Sequence, residues 1–205
     1  MSESADFRKL EKKAYLSYHQ DGLLDLVIGA VILGLGINEA TDSSAWSLMA
    51  ILLISAYVPL KRVITYPRLG YAKFSSKRGG VDTRLAGLVV AAALVLLLGG
   101  MLVLLRSDSY PSSPLVLAIR TSPMLLYGLL GCFGFGLGGF ILGLGRLYAF
   151  ALLSVVIMIG GHLLNLPLSV AFMLLGGAIL ATGAVLLVRF LRINPIAEGQ
   201  NHGAG

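Results

Sequence analysis

Two acidic residues, Asp21 and Asp25, stand four positions apart, and His19 lies just before them. Residues four apart share one face of a helix, so in a helix this group could hold a divalent cation or pass protons within a membrane. The alternative is structural, because Asp21 suits the N-cap of a helix and Asp25 would meet the positive end of the helix dipole. We keep both as candidate functional residues, with the structural role as the alternative.

A second polar pair, His162 and Asn165, lies three residues apart and would also share a helix face. His162 would stand about 22 Å from the start of its predicted helix, at the membrane edge opposite Asp25, so a direct pair between the two is not expected. No metal-ligand spacing, cofactor motif or activated nucleophile accompanies these residues. We therefore expect no metal, no cofactor and no enzymatic activity.

The composition is that of a membrane protein. Of the 205 residues, 57% are apolar and 13% charged, against roughly 45–50% and 25% in soluble domains. The one cysteine, Cys132, excludes an internal disulfide bond. The high apolar fraction and the low charged fraction together exclude a soluble enzyme or a soluble binding domain.

Apolar runs close to the length that crosses a bilayer, about 20 residues, predict six transmembrane helices in an all-α polytopic bundle. Their ranges are 22–38, 46–60, 85–105, 124–144, 147–164 and 169–188. Residues 1–21 predict a short amphipathic helix at the membrane surface, with apolar residues at intervals of three and four. Residues 61–84 form a basic loop and residues 189–205 a short tail.

The basic residues predict the orientation of these spans. With six spans and the amino end in the cytoplasm, only Arg106 and Arg120 of the 16 Lys and Arg residues fall on the outer side. Cytoplasmic loops are enriched in such residues. Both termini are therefore predicted to be cytoplasmic, in a multi-pass protein of the plasma membrane.

Basic and aromatic side chains alternate in the loop 61–84, where Asp82 is the only acid. Because membrane spans flank the loop, anionic lipid headgroups are nearer to it than any nucleic acid, and no nucleic acid partner is expected. The residues predicted to contact lipid or phosphate are Lys61, Arg62, Arg68, Lys73, Lys77 and Arg78.

Glycines crowd the fourth predicted span. Small residues let helix backbones approach closely where lipid removes the hydrophobic drive for association. The predicted packing positions are Gly134, Gly138, Gly139 and Gly143. They indicate a central helix, or contact with a second copy or a membrane protein partner.

These observations favour a membrane-embedded packing or accessory module that contacts anionic lipid or a partner protein. The alternative is a small solute or ion transporter or channel with Asp25 near its cytoplasmic mouth. Transporters usually place binding groups at mid-membrane depth, and that depth carries almost no charge here.

Overall fold

The computed structural model describes residues 21–41, 43, 45–69 and 122–195. Within these ranges the chain is helical and contains no strand, which confirms the predicted all-α class for this part. The helices are α1 (Leu23–Thr41), α2 (Ala45–Ile64), α3 (Tyr66–Leu69), α4 (Pro123–Leu142), α5 (Gly145–Leu163) and α6 (Leu168–Ile193).

Four of these helices, α1, α4, α5 and α6, are long and apolar enough to cross a membrane. They have between 19 and 26 residues, and their positions agree with the predicted spans 22–38, 124–144, 147–164 and 169–188. Helix α2 covers the predicted span 46–60. The predicted span 85–105 and residues 1–20 lie outside the described residues, so the number six stays a prediction.

Local sequence explains where the helices begin and end. The backbone N–H of Leu23 donates to Oδ1 of Asp21 at 3.2 Å, so Asp21 caps α1. Pro123 stands in the first turn of α4, where its missing N–H costs nothing. Gly143 ends α4 in the left-handed conformation, with φ at 65°, and its N–H donates to the carbonyl of Gly139.

The turn from α5 to α6 is built around Asn165, which has a positive φ of 52°. Asparagine tolerates this conformation better than most residues. The N–H of Leu166 donates to the carbonyl of Gly161 at 2.9 Å, which closes the end of α5. Pro167 then precedes the first residue of α6.

Helices α1 and α6 pack antiparallel at very short range. A methyl group added to Gly29 would lie 2.5 Å from the backbone N of Leu180, and one added to Gly183 would lie 2.6 Å from the backbone N of Leu26. A methyl group on Gly176 would overlap the backbone N of Leu33. Only glycine permits this approach, so the two backbones are in direct contact along the helix pair.

Helices α4 and α5 form a second antiparallel pair, joined by the short turn at Gly143. Gly131 faces the side chain of Ser154, and Gly128 faces Met158. The two helix pairs meet in an apolar core, where the rings of Tyr127 and Phe172 pack edge to face with centroids 5.0 Å apart. Edge-to-face packing is a favourable arrangement of aromatic rings.

Candidate functional site

Among the described residues, four of the five buried polar or charged side chains gather where α1 begins, and Ser154 lies apart from them. Asp21 is fully buried, and its Oδ2 accepts a hydrogen bond from the Thr65 hydroxyl at 2.8 Å. The ammonium of Lys61 lies 3.4 Å from the same Oδ2. The Asp21 carboxylate therefore caps α1 with one oxygen and binds the end of α2 with the other.

Lys61 is itself buried, with 4% of its surface exposed. Its ammonium donates to the hydroxyl of Tyr57 at 3.1 Å, one helical turn earlier in α2. A buried lysine requires such partners, because an uncompensated charge in an apolar interior is costly. The neighbours Asp21 and Tyr57 meet that requirement.

Asp25 forms a second ion pair, with Arg146 at the start of α5. Its Oδ2 lies 3.2 Å from Nη1 of Arg146, and the Asp25 side chain is fully buried. Within the described residues, Oδ1 of Asp25 has no hydrogen-bond donor. This ion pair joins α1 to α5, as the Asp21 pair joins α1 to α2.

Helix dipoles explain part of this arrangement. Asp25 stands in the first turn of α1 and Lys61 in the last turn of α2, which are the favourable ends for an acid and a base. Arg146 stands at the start of α5, where the dipole disfavours a cation. The carboxylate of Asp25 supplies the compensating charge.

We refer to Asp21, Asp25, Lys61, Thr65 and Arg146 as the ionic cluster. It contains two acids and two bases and is therefore neutral as a whole. Its hydrogen bond and ion pairs connect three helices, so the cluster can hold α1, α2 and α5 together at one end of the bundle. The described residues contain no group of three metal-ligating side chains.

All six Lys and Arg residues of the described ranges lie at the same end of the bundle as the ionic cluster. Lys61 and Arg146 contact it directly, and Arg62 and Arg68 adjoin Thr65 in the chain. Arg189 and Arg192 follow Leu187 of α6, whose backbone N would lie 2.9 Å from a methyl group on Gly22. We call this the basic end.

His162 and Asn165 lie at the opposite end of α5 from Arg146, and both are exposed. Asn165 forms the turn into α6. The structure therefore brings Asp21 and Asp25 into one cluster and leaves His162 and Asn165 apart from it.

The residues predicted to contact lipid differ in their exposure in the structure. Lys61 is buried in the ionic cluster, Arg62 is exposed, and Arg68 is half-buried with a guanidinium N–H donating to the carbonyl of Ile64 at 2.7 Å. The remaining three, Lys73, Lys77 and Arg78, lie outside the described residues.

The predicted packing glycines of α4 occupy several environments. Gly139 packs on the Tyr148 ring, at 3.2 Å from an added methyl group, whereas Gly143 has open space around it. Gly138 is buried and Gly134 is half-buried.

The closest approach of two helix backbones within the described residues was not predicted. It uses Gly22, Gly29 and Gly36 of the α1 region and Gly176 and Gly183 of α6. Both sets repeat every seven residues, or about two helical turns, and that spacing is the signal in the sequence that could have identified the pair.

Three members of the ionic cluster, Lys61, Thr65 and Arg146, were likewise not predicted to bind the aspartates. A lysine directly after an apolar run, or an arginine alone in a short turn, is indistinguishable in sequence from a residue that marks membrane orientation. The structure makes the difference by burying Lys61 and Thr65 and by placing the half-buried Arg146 against Asp25.

Comparison with known proteins adds no relative. No family model matches the chain, and neither a curated protein nor a solved structure is significantly similar to it.

Proposed function

We propose that the chain is a six-span protein of the plasma membrane, with both termini in the cytoplasm, that works as a packing or accessory module without catalysis. Its cytoplasmic face contacts anionic lipid, and its lateral surface binds a second copy or a membrane protein partner. The observation that carries this proposal is the ionic cluster, in which both buried aspartates are committed to ion pairs between helices.

The topology is supported by the distribution of charge. Cytoplasmic ends of membrane helices are rich in Lys and Arg, and the basic end holds all six such residues of the described ranges. In the proposed topology the basic end faces the cytoplasm and the α5–α6 turn at Asn165 faces the outside.

The course of the chain supports a further crossing. Helix α3 lies at the basic end, just after Thr65, whereas the start of α4 lies at the other end, where Met124 is near Gly161. The chain between Leu69 and Pro123 must connect these two ends. The apolar run 85–105 has the length for that crossing and would bring the number of spans to six.

The packed interior supports a module rather than a conduit. Helix α1, which carries Asp25 and is preceded by Asp21, is in backbone contact with α6 along its length. A path between α1 and α6 would require these helices to separate. The exposed apolar side chains of α4, including Leu129 and Phe133, offer a lateral surface for lipid or for a partner helix.

A transporter or channel is the second candidate, and Oδ1 of Asp25 favours it. This buried oxygen has no hydrogen-bond donor within the described part of the chain, and an acid inside a membrane is a functional candidate by default. In this alternative Asp25 lies near the cytoplasmic mouth of the path.

Two measurements on the full chain separate these candidates. A photoreactive side chain at Leu129 in native membranes should crosslink to a second copy or to one defined membrane protein, and a control at Leu152 on α5 should not give the same adduct. Flux of protons and small solutes should be absent from proteoliposomes of the wild type. Flux that disappears in Asp25→Asn, with the protein still folded, would instead establish the transporter.

A further inference from the structure

The two acids of the ionic cluster differ in how firmly their carboxylates are held. Asp21 accepts hydrogen bonds from the first backbone N–H of α1 and from the Thr65 hydroxyl, and the ammonium of Lys61 lies 3.4 Å from its Oδ2. Asp25 is equally buried, but within the described residues neither of its oxygens accepts a hydrogen bond. Its carboxylate is compensated there by charge alone, through Nη1 of Arg146 at 3.2 Å.

The two bases of the cluster differ in the same direction. The side chain of Lys61 is only 5% exposed, and its ammonium also donates to the Tyr57 hydroxyl, so it is enclosed in the bundle. The side chain of Arg146 is 18% exposed and stands at the start of α5, where the helix dipole disfavours a cation. A long basic side chain at a membrane edge can extend its charged group to the surface. Arg146 therefore has a route to water that Lys61 lacks.

Departure of Arg146 would leave the ionic cluster with one negative charge in excess. The carboxylates of Asp21 and Asp25 would then share a single base, Lys61. Helix α6 adds no charge at this point, because it presents Gly183, where an added methyl group would lie 3.1 Å from Cβ of Asp25. An uncompensated buried charge is costly, so a cation must replace the guanidinium. The described residues offer no group of three metal ligands and little space beside Gly183, which favours a proton.

We propose that Asp25 is a proton-binding site, in which a proton from the cytoplasm replaces the guanidinium of Arg146. An O–H bond forms at Oδ1 of Asp25, an O–H bond of hydronium breaks, and a water molecule is released. The guanidinium turns to the membrane surface. The pair of Asp21 and Lys61 stays in place, so acidification loosens the contact of α1 with α5 and keeps that of α1 with α2. The site rests on the proposed topology and adds regulation by pH to the proposed module.

Proton binding is tested by titrating the full chain in mild detergent from neutral to mildly acidic pH. Infrared difference spectra of the wild type should gain the carbonyl stretch of a neutral, buried carboxylic acid. Asp25→Asn should lose that signal, Asp25→Glu should shift it, and the matched variant Asp21→Asn should keep it. A wild type without the signal, or a signal that survives unchanged in Asp25→Asn, would overturn the site. The wild-type titration decides this even if a variant fails to fold.

The release of α5 is measured separately, with pairs of spin labels in a Cys132→Ala background. Labels on Arg62→Cys and Gly145→Cys, both exposed positions, should give a distance distribution that broadens on acidification. Asp25→Asn should show the broad distribution already at neutral pH. Labels on Arg62→Cys and Arg192→Cys should keep their distance, because α2 and α6 retain their contacts with α1. A first pair that ignores pH would overturn the replacement of the guanidinium.

Failure of the proposed function would look different from failure of this site. Proteoliposomes of the wild type should bind protons at Asp25 without passing them across the membrane. Proton flux that disappears in Asp25→Asn would overturn the module in favour of the transporter and would still support the proton site. Absence of both the infrared signal and the flux would overturn the proton site alone.

Discussion

The carboxylate of Asp25 and the guanidinium of Arg146 lie 3.2 Å apart, in the first turns of two helices that begin at the same end of the bundle. The ion pair therefore joins two helices that are remote from each other in the chain. Removing one partner from a buried ion pair leaves the other charge uncompensated, which costs more than the pair itself contributes.

Single substitutions in this pair should therefore be more harmful than the double one. Asp25→Leu and Arg146→Leu are each expected to destabilise the bundle by about 3 kcal/mol. The double variant should lose markedly less than the sum, because two apolar residues leave no buried charge. The measurement is a double-mutant cycle on unfolding in detergent micelles, and strict additivity would contradict the buried pair.

Lys61 and Arg62 are adjacent bases with opposite surroundings, so they form a matched comparison. Lys61→Met leaves Asp21 without its ammonium partner and should lower the apparent unfolding temperature in detergent by several degrees. Arg62→Met changes an exposed side chain and should alter it by about a degree or less, as surface substitutions generally do. An equal effect of the two would show that Lys61 does not hold Asp21.

Gly176 and Gly177 offer the same comparison on α6. A methyl group at Gly176 would overlap the α1 backbone, whereas one at Gly177 meets nothing within 4 Å. Gly176→Ala should destabilise by about 1–3 kcal/mol, as overpacking does, and Gly177→Ala should be neutral or slightly stabilising through better helix propensity. Unfolding of the two variants by graded denaturing detergent provides the measurement.

The α4–α5 contact is expected to show compensation. A methyl group at Gly131 would overlap the Ser154 hydroxyl, so Gly131→Ala should reduce stability. Adding Ser154→Ala removes that oxygen and should restore most of the loss. Gly136→Ala, which meets nothing within 4 Å, is the control, and no recovery in the double variant would mean that this contact does not limit the approach of the helices.

Orientation can be measured by cysteine labelling in a Cys132→Ala background. Arg62→Cys and Arg192→Cys at the basic end should react with an impermeant maleimide only after the membrane is opened. Ala40→Cys at the other end should react in intact cells. Labelling of both ends from the same side would contradict the proposed topology.

Much of the fold could be predicted from local features. Apolar run length located the helices to within a few residues, and Asp21 had the residue type expected of an N-cap. The partners of Asp21 and Asp25 could not be predicted, because Thr65 and Arg146 are remote in the chain and no local pattern specifies which helices meet. In lipid all faces of a helix are apolar, so hydrophobic periodicity does not reveal the buried face. Glycine spacing carries that information for α1 and α6.

The pairing of α1 with α6 also has a consequence for biosynthesis. Gly29 and Gly176 belong to helices that leave the ribosome on the order of ten seconds apart, at about 5–20 residues per second. In the proposed membrane topology, helix α1 is inserted long before its glycine face can be covered by α6, and Asp25 precedes Arg146 in the same way. Final closure of the bundle therefore follows translation of α6, and truncation before α6 should yield a nascent chain prone to quality-control degradation.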